Sequence, residues 1–446
     1  MALTGLDIYK QLPKTNCKEC GSPTCLAFAM KIAAKQVALD QCPHVSEEAK
    51  AALGSASQPP VRSVAIGRGE NKIEIGNETV LFRHEETFHH ETAVAIRIKE
   101  SDPEADRKIE RANQLHFERV GMEIGVNLLA LEGGAGEPGN YASFVAAAAA
   151  KTGLGLILIG NNPAGLKAAL EKIKDRQPLL YPADRNNFRE MAALARESGC
   201  PLGVKGAGVE ETADLSLKIK GLGVENLVLD TTPSDLKTAV IDQTVIRRQA
   251  LKKNFRPLGY PTIAFTSGKS EFSDALEASV FVAKYVSIVV TGIDRPEFLL
   301  PLLTARQNIY TDPQKPIQVE PKLYTVGEPD KSSPVMVTTN FSLTYFTVEG
   351  EVDASRIPAY IVVVNTEGTS VLTSWAADKF NPKVITKALN DYRITERVNH
   401  KNLIIPGYVA VISGKLEDES GWKVLVGPRE ASGIPKYLKS TYKTLV

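Results

Sequence analysis

The sequence has almost no net charge, no long apolar run and few cysteines outside one short segment. Its 446 residues include 53 Lys and Arg and 52 Asp and Glu, so no general attraction to nucleic acid or to an anionic membrane is expected. No apolar run reaches the length of a membrane span, and the N-terminus lacks the apolar segment of a secretory signal. We therefore expect a cytoplasmic protein, and the length predicts two or three domains.

Four of the five cysteines stand in the spacing C-x2-C-x4-C-x16-C near the N-terminus. They are Cys17, Cys20, Cys25 and Cys42. The first three share a loop that contains Gly21 and Pro23, and such a loop can present several thiolates to one compact inorganic centre. A helix predicted over residues 26–41 separates the third cysteine from the fourth, and Pro43 follows the last cysteine, as in many ferredoxin-type sequences.

Three interpretations of this cysteine cluster compete. A structural zinc site usually shows two close C-x2-C pairs, which are not present here. Two disulfides are disfavoured in a reducing compartment. An iron–sulfur cluster, most simply a four-iron cubane, is the favoured interpretation because four nearby thiolates suit it. The fifth cysteine, Cys200, is interpreted as a small buried residue at the start of a strand.

The pattern of the chain predicts four segments. Residues 1–57 form the cysteine module, which ends in the small-residue stretch LGSASQPP, interpreted as a flexible tether. Residues 58–92 read as a linker with short hairpins, residues 93–315 as a barrel, and residues 316–446 as a smaller α/β domain.

Eight short apolar runs alternate with helical segments in the third of these segments. The runs are 93–99, 127–132, 156–160, 178–182, 201–205, 226–230, 262–266 and 287–291, and the first helical segment covers 105–121. This repetition predicts a (β/α)8 TIM barrel, with a doubly wound open sheet as the alternative. Loops after the strands are rich in Asn, Asp and Gly. Helix capping is the favoured interpretation of these loops, and a small-molecule pocket the other.

The last segment follows a Pro-rich linker, DPQKPIQVEPKLYTVGEPDKSSP. Strands at 334–339, 359–366, 402–406 and 423–427 alternate with helices, which predicts a Rossmann- or flavodoxin-like domain. Such domains bind ligands at the carboxyl ends of their strands. The loop 365–375 combines Gly, hydroxyl and aliphatic side chains, which suits a large, flat, amphipathic ligand, although a helix cap explains the same residues. No G-x-G-x-x-G follows the first strand, which disfavours a dinucleotide.

Taken together, the chain resembles the large (gamma) subunits of the corrinoid iron–sulfur proteins of the reductive acetyl-CoA (Wood–Ljungdahl) pathway. The resemblance covers the whole chain and rests on the cysteine spacing and on the segments NTEGTSVLTSWAADKF and GPREASGIPKY. It implies an N-terminal [4Fe-4S] module, a barrel and a C-terminal corrinoid-binding domain, with the four clustered cysteines as cluster ligands. It also implies corrinoid contacts from Asn340, Thr344, Ser370, Val371, Leu372, Thr373, Gly407, Gly433 and Lys436.

The activity implied by the resemblance is that of a methyltransferase-type methyl carrier. Its cobalt takes a methyl group from methyltetrahydrofolate on a separate methyltransferase and delivers it to CO dehydrogenase/acetyl-CoA synthase, while the cluster reduces inactive Co(II) to Co(I). Implied partners are a small subunit that forms a heterodimer and a reductive activator protein. No histidine stands in the D-x-H-x-x-G motif, so a base-off corrinoid without a protein ligand is expected.

Two other functions remain open from the residues alone. One is an iron–sulfur electron-transfer or scaffold subunit. The other is a barrel methyltransferase acting on methyltetrahydrofolate with an accessory cluster.

Overall fold

The computed structural model describes residues 5–33, 37, 39–46, 49, 59–133, 137–312 and 316–442. The chain forms two compact units, Met1–Phe117 with Gly125–Tyr310, and Glu118–Ile124 with Thr311–Val446. Within the described ranges, no helix combines the length and the apolar character that a membrane crossing requires.

The N-terminal cysteine module is built on two helices, α1 (Gly5–Gln11) and α2 (Cys25–Ala33), and a 3-10 turn at Leu39–Gln41. Buried apolar side chains from both helices pack together, among them Ile8 and Phe28. The sequence predicted that the helix after the third cysteine reaches residue 41. The described helix ends at Ala33, and residues 34–36 and 38 lie outside the described residues, as does most of the predicted tether.

The linker before the barrel contains a short antiparallel hairpin of β1 (Val64–Ile66) and β2 (Ile73–Ile75), joined by a 3-10 turn at Gly69–Asn71. The buried side chains of Val64 and Ile75 pack in the same cluster as the first residues of several barrel strands. The hairpin therefore closes the amino-terminal end of the barrel interior.

The barrel has eight parallel strands in one sheet. In chain order the elements of residues 93–310 are β3 (Ala93–Lys99), α3 (Ala105–Ala112), β4 (His116–Arg119), β5 (Met122–Gly125), β6 (Leu128–Glu132), α4 (Pro138–Lys151), β7 (Gly155–Ile159), α5 (Pro163–Lys172), β8 (Leu179–Ala183), α6 (Phe188–Ser198), β9 (Leu202–Lys205), α7 (Val209–Gly221), β10 (Leu227–Asp230), α8 (Leu236–Lys253), a 3-10 turn (Arg256–Leu258), β11 (Ile263–Phe265), α9 (Glu271–Ala283), β12 (Ile288–Thr291) and α10 (Pro296–Tyr310). The sheet order is β10-β9-β8-β7-β6-β3-β12-β11. A bridge between Leu229 and Thr262 links its two edges, so the barrel is nearly closed. The predicted TIM-like barrel is confirmed, and the open-sheet alternative is wrong.

One predicted barrel helix is too long. The sequence assigned residues 105–121 to a helix, but α3 ends at Ala112, and β4 and β5 form a separate antiparallel pair. The turn between them contains Val120 and Gly121, which both have positive φ, 54° and 69°. Two consecutive residues of positive φ match the right-handed twist of a tight hairpin, which a helix cannot accommodate.

The second unit is a five-stranded sheet with helices on both faces. Its elements are β13 (Leu323–Val326), β14 (Val335–Thr339), α11 (Ser342–Ser355), β15 (Ala359–Val364), α12 (Val371–Ala376), α13 (Pro382–Asp391), α14 (Ile394–Arg397), β16 (Asn402–Ile405), a 3-10 segment (Gly407–Ile412), α15 (Ser413–Ser420), β17 (Lys423–Val426), a 3-10 turn (Ala431–Gly433), α16 (Ile434–Lys436) and a π-helical turn (Tyr437–Tyr442). The order is β13-β15-β14-β16-β17, and only β13 runs antiparallel. The sequence placed β13 in the linker, whereas it forms the sheet edge.

Two apolar cores lie on opposite faces of this sheet. Val335 and Val337 point to one core, with Phe380 and Leu389, and Met336 points to the other, with α11 and the C-terminal turns. The alternation follows from the two-residue period of a strand. Both faces of the sheet are therefore covered. Loops come together at the carboxyl ends of β14 and β16.

Candidate functional sites

Three of the four clustered cysteines lie in the core of the N-terminal module. Cys25 and Cys42 are buried, and Cys20 packs against the same apolar cluster, whereas Cys17 is exposed. All four are free thiols. Four unpaired thiols on one loop and the chain that returns to it form a donor set that fits an iron–sulfur cluster.

The exposed cysteine of the module has two polar neighbours that the sequence analysis did not single out. Cys17 Sγ, a carboxylate oxygen of Glu19 and a ring nitrogen of His44 all lie within 4.8 Å of one another. His44 Nε2 is 2.9 Å from Glu19 Oε2. The position of His44, two residues after Cys42, was the feature of the sequence that could have indicated this histidine near the cysteines.

Cys200 lies far along the chain from this module. It is buried two residues before β9, and its burial raises the pKa of the thiol. It lines a cavity of about 280 Å³ beside the facing side chains of α5 and α6, including Leu170 and Leu194. The thiol is thus a small buried group at the start of a strand.

Several polar side chains at the carboxyl end of the barrel are hydrogen-bonded within the protein. Tyr181 Oη donates to Asp230 Oδ2 at 2.6 Å, and the backbone N–H of Thr232 donates to Asp230 Oδ1 at 2.7 Å. Burial raises the pKa of the Asp230 carboxyl. Nearby, Arg97 donates two hydrogen bonds to the Glu132 carboxylate, at 2.7 and 2.8 Å. These side chains satisfy one another without a ligand.

Polar residues in three of the barrel loops cap helices. The side chains of Asn162, Asp235 and Ser270 accept backbone N–H groups at the starts of α5, α8 and α9. Capping of this kind satisfies donors that have no partner within the helix. In these three loops the polar side chains therefore cap helices, which was the favoured interpretation of the sequence.

A cavity of about 240 Å³ opens in the second unit at the carboxyl ends of β14 and β16. Apolar side chains form most of its wall. The lining residues are Met336, Val337, Thr338, Leu343, Thr344, Thr347, Val348, Val371, Ile404, Ile405, Pro406, Tyr408, Gly427, Pro428, Arg429, Ala431 and Ile434. We call this cavity the β14/β16 crevice.

One buried polar atom in the crevice has no partner. Thr338 is 1% exposed, and its Oγ1 makes no hydrogen bond in the structure. A buried hydroxyl without a partner costs about 1–3 kcal/mol. Since Thr338 lines the crevice, a ligand bound there can satisfy this hydroxyl.

The two glycines among the predicted contacts allow the crevice loops to approach each other. A Cβ atom at Gly407 would lie 2.5 Å from the carbonyl oxygen of Gly427 and 2.8 Å from the backbone nitrogen of Arg429. A Cβ atom at Gly433 would lie 2.8 Å from Cβ of Pro428. The loops after β16 and β17 can thus meet only if these positions lack side chains.

Asn340 is buried and does not line the crevice. Its Oδ1 accepts hydrogen bonds from the backbone N–H and hydroxyl of Thr366, both at 2.9 Å, and from the backbone N–H of Gly368 at 3.0 Å. Its Nδ2 donates to Gln318 Oε1 at 2.9 Å and to Asn365 Oδ1 at 3.4 Å. Asn340 therefore fixes the loop between β15 and α12.

The remaining predicted contacts divide into two groups. Thr344 and Val371 line the crevice. Ser370 precedes α12, and its hydroxyl is 3.1 Å from that of Thr373. The lining of the crevice includes neither the half-buried Ser370 nor the exposed Leu372, Thr373 and Lys436.

Several lining residues were not found by sequence reasoning. They include Thr338, Leu343, Thr347, Tyr408 and Arg429. Thr338 stands near the end of a predicted strand and Tyr408 in a predicted loop. The sequence therefore located these regions but not the side chains that face the crevice.

The one histidine of residues 311–446, His400, lies at the other end of the sheet. Its Nε2 is 3.0 Å from the carbonyl oxygen of Ser333, and its Nδ1 accepts the backbone N–H of Asn402 at 3.1 Å. Both partners adjoin the amino ends of strands. The crevice, at the carboxyl ends, is therefore out of reach of this ring.

Two family models match parts of this chain. The family model described as "CO dehydrogenase/acetyl-CoA synthase delta subunit" matches residues 63–438, and the one described as "Putative Fe-S cluster" matches residues 12–44. The second match contains all four clustered cysteines. The first covers most of the chain, including the barrel and the second unit.

Two relatives match over nearly their whole length. The corrinoid/iron-sulfur protein large subunit of Moorella thermoacetica is 49% identical, with 99% of both chains covered. The acetyl-CoA decarbonylase/synthase complex subunit gamma of Methanothermobacter thermautotrophicus is 37% identical, with 98% of this chain and 99% of that chain covered. The chain therefore belongs to the family of corrinoid/iron–sulfur protein large subunits of the acetyl-CoA pathway, as its sequence predicted.

Proposed function

We propose that this chain carries methyl groups on a corrinoid held in the β14/β16 crevice. The corrinoid, when bound, supplies a cobalt that accepts a methyl group from methyltetrahydrofolate on a separate methyltransferase and gives it to acetyl-CoA synthase. The observation that carries the proposal is the crevice itself, a mostly apolar cavity with an unpaired buried hydroxyl at Thr338. The name of the Moorella relative supports the choice of ligand.

The topology of the second unit supports a flavodoxin-like corrinoid-binding domain. Its four parallel strands, numbered along the chain, lie in the order 2-1-3-4, with β13 added antiparallel at one edge. The flavodoxin-like order is 2-1-3-4-5, and ligands bind where the chain reverses direction across the sheet, between the first and third strands. Here those strands are β14 and β16, which border the crevice.

The residues in and around the crevice contribute to corrinoid binding in different ways. Thr338 and Thr344 offer hydroxyls, while Met336 and Ile404 offer apolar surface. Gly407 lets the loops after β16 and β17 approach each other beside the crevice. Asn340 acts indirectly, because its side chain holds the loop that leads into α12.

The position of His400 supports a base-off corrinoid without a protein nitrogen ligand. Its ring is engaged with backbone groups at the amino ends of the strands. None of the described residues that line the crevice is a histidine. Cobalt without a nitrogen donor is easier to reduce, because the four-coordinate Co(I) state then loses no ligand bond.

The cysteine module is proposed to hold a [4Fe-4S] cluster through Cys17, Cys20, Cys25 and Cys42. The cluster, when bound, passes one electron at a time from an external one-electron donor, such as a reductive activator protein, to Co(II). Three of its ligands lie in or against the module core, and the family match over residues 12–44 supports the assignment.

The rim of the crevice supports a partner that caps the corrinoid. Two large apolar side chains that line the cavity, Leu343 and Tyr408, are exposed there. Exposed apolar side chains around a ligand site are typical of a surface that another chain covers. We propose that the small subunit occupies it in a heterodimer, and the relatives named as subunits of complexes support an assembly.

A pair of tryptophan substitutions tests the corrinoid site. Thr347 is exposed at the crevice, so Thr347→Trp should block it without disturbing the core. Ala354→Trp, seven residues further along α11 and also exposed, is the matched control. The anaerobically purified heterodimer should keep its cobalt and corrinoid absorption bands in the control and lose them in Thr347→Trp. Retention of full cobalt in Thr347→Trp would place the corrinoid elsewhere.

A further inference from the structure

The cysteine loop is fastened by a reciprocal pair of hydrogen bonds between Asn16 and Cys25. The backbone N–H of Cys25 donates to Asn16 Oδ1 at 2.8 Å. The backbone N–H of Asn16 donates to Cys25 Sγ at 3.4 Å. The pair thus joins the residue before the first cysteine to the first residue of α2, and it aims a backbone donor at a thiol of the proposed cluster.

The backbone around Asn16 has an unusual conformation. Lys14, Asn16 and Lys18 have φ of 59°, 51° and 68°, and they alternate with Thr15 and Cys17, whose φ is not positive. The left-handed region costs roughly 1–2 kcal/mol for most residues with a Cβ, and Asn visits it most readily because its short side chain bonds locally.

Strained conformations of this kind persist only where the surrounding structure fixes them. In the described part of the loop, the side chain of Asn16 provides such a restraint, because it accepts the N–H of Cys25. Gly21, with φ of 71°, ends the strained run, and its N–H donates to the carbonyl of Lys18 at 2.9 Å. Asn16 is therefore a polar link between the first part of this loop and the buried start of α2.

We infer that Asn16 is a positioning residue that sets the reduction potential of the proposed cluster, an inference that rests on the cluster assignment above. Its N–H donates to a ligand sulfur, and its side chain holds that donor in place. Hydrogen bonds to cluster sulfurs help to set the potential, and they favour the reduced state because it carries the additional negative charge. The cluster gains one electron from the external donor and loses the same electron to Co(II).

Two substitutions separate the contributions of the side chain and the backbone. Asn16→Gly keeps the left-handed conformation without cost but removes the bond to Cys25, and Asn16→Ala disfavours the conformation as well. Asn254 is the matched control, because it is also an exposed Asn with φ of 51°, at the end of α8 in the barrel. Its Gly and Ala variants carry the same chemical changes away from the cysteines.

The measurement is a redox titration of the reconstituted heterodimer, followed by electron paramagnetic resonance of the reduced cluster. We expect the midpoint potential to become more negative in Asn16→Gly and more negative still in Asn16→Ala, with both Asn254 variants at the wild-type value. Iron content is measured in parallel to show that each variant holds a cluster.

Equal potentials in all five proteins would overturn the inference, and so would loss of iron from both Asn16 variants, which would show a role in assembly instead. If only Asn16→Ala loses its iron, a lowered potential in Asn16→Gly supports the inference and an unchanged one overturns it. A wild-type protein that binds no iron would refute the cluster assignment instead, which the iron content distinguishes.

Discussion

Replacement of Asn340 by alanine should destabilise the second unit by about 2–6 kcal/mol. Two buried backbone donors, the N–H groups of Thr366 and Gly368, would lose their acceptor. Each buried donor left without a partner costs about 1–3 kcal/mol. The hydroxyl of Thr366 also contacts the carbonyl of Thr369 at 3.1 Å, and Gln318 is exposed to water, so neither adds much to the cost.

The assay uses the position of the two tryptophans. Trp375 and Trp422 both lie in residues 311–446, so the change in tryptophan fluorescence on urea denaturation follows the second unit. Asn340→Asp keeps an acceptor for the two N–H groups, and its cost should stay below about 1.5 kcal/mol if the Gln318 amide turns to donate to it. Asn381→Ala, which removes an ordinary helix cap, should cost about 1 kcal/mol. A cost below about 1 kcal/mol for Asn340→Ala, or equal costs for Ala and Asp, would refute the reasoning.

Three further predictions concern the crevice, the barrel and the cluster. Thr338→Val should raise the free energy of unfolding of the corrinoid-free second unit by about 1 kcal/mol in the same assay, because it removes an unpaired buried hydroxyl. It should also weaken corrinoid binding in equilibrium dialysis; lower stability would contradict the prediction. Asp230→Asn should gain stability relative to wild type as pH rises from about 4 towards 7, measured by circular dichroism, since burial raises the pKa of Asp230 and the native state keeps a proton that the unfolded state releases. A difference that does not vary with pH would contradict it. Cys20→Ala should leave methyl transfer from preformed Co(I) intact and block the reduction of Co(II), whereas loss of transfer itself would exclude the proposed role of the cluster.

The barrel could be predicted because strands buried on both faces are continuous apolar runs. The eight runs found in the sequence correspond to the eight strands of the nearly closed sheet. The hairpin at residues 116–125 was missed because its turn depends on Val120 at φ of 54°, a conformation that Val rarely adopts. The edge strand β13 was missed because it lies between prolines in a polar segment, where only pairing with β15 makes it a strand.

The two candidate sites differ in how much of each could be predicted from the sequence. The cysteine spacing is local, so the proposed ligand set could be read from the sequence alone. The placement of Cys17 beside Glu19 and His44 depends on loop geometry, which spacing does not contain. In the second unit, the loops at strand ends were expected from topology. Thr338 and Asn340 are both polar residues at the end of the same strand, so the sequence does not distinguish them. Which of the two faces the crevice depends on how α11 packs on the sheet.

The measurement that tests the central claim most directly is the metal content of the anaerobically purified heterodimer. The account predicts about one cobalt and about four iron atoms per large subunit, together with corrinoid bands in the visible spectrum. Iron without cobalt, after reconstitution with corrinoid and the small subunit, would contradict the claim that this chain is a corrinoid methyl carrier.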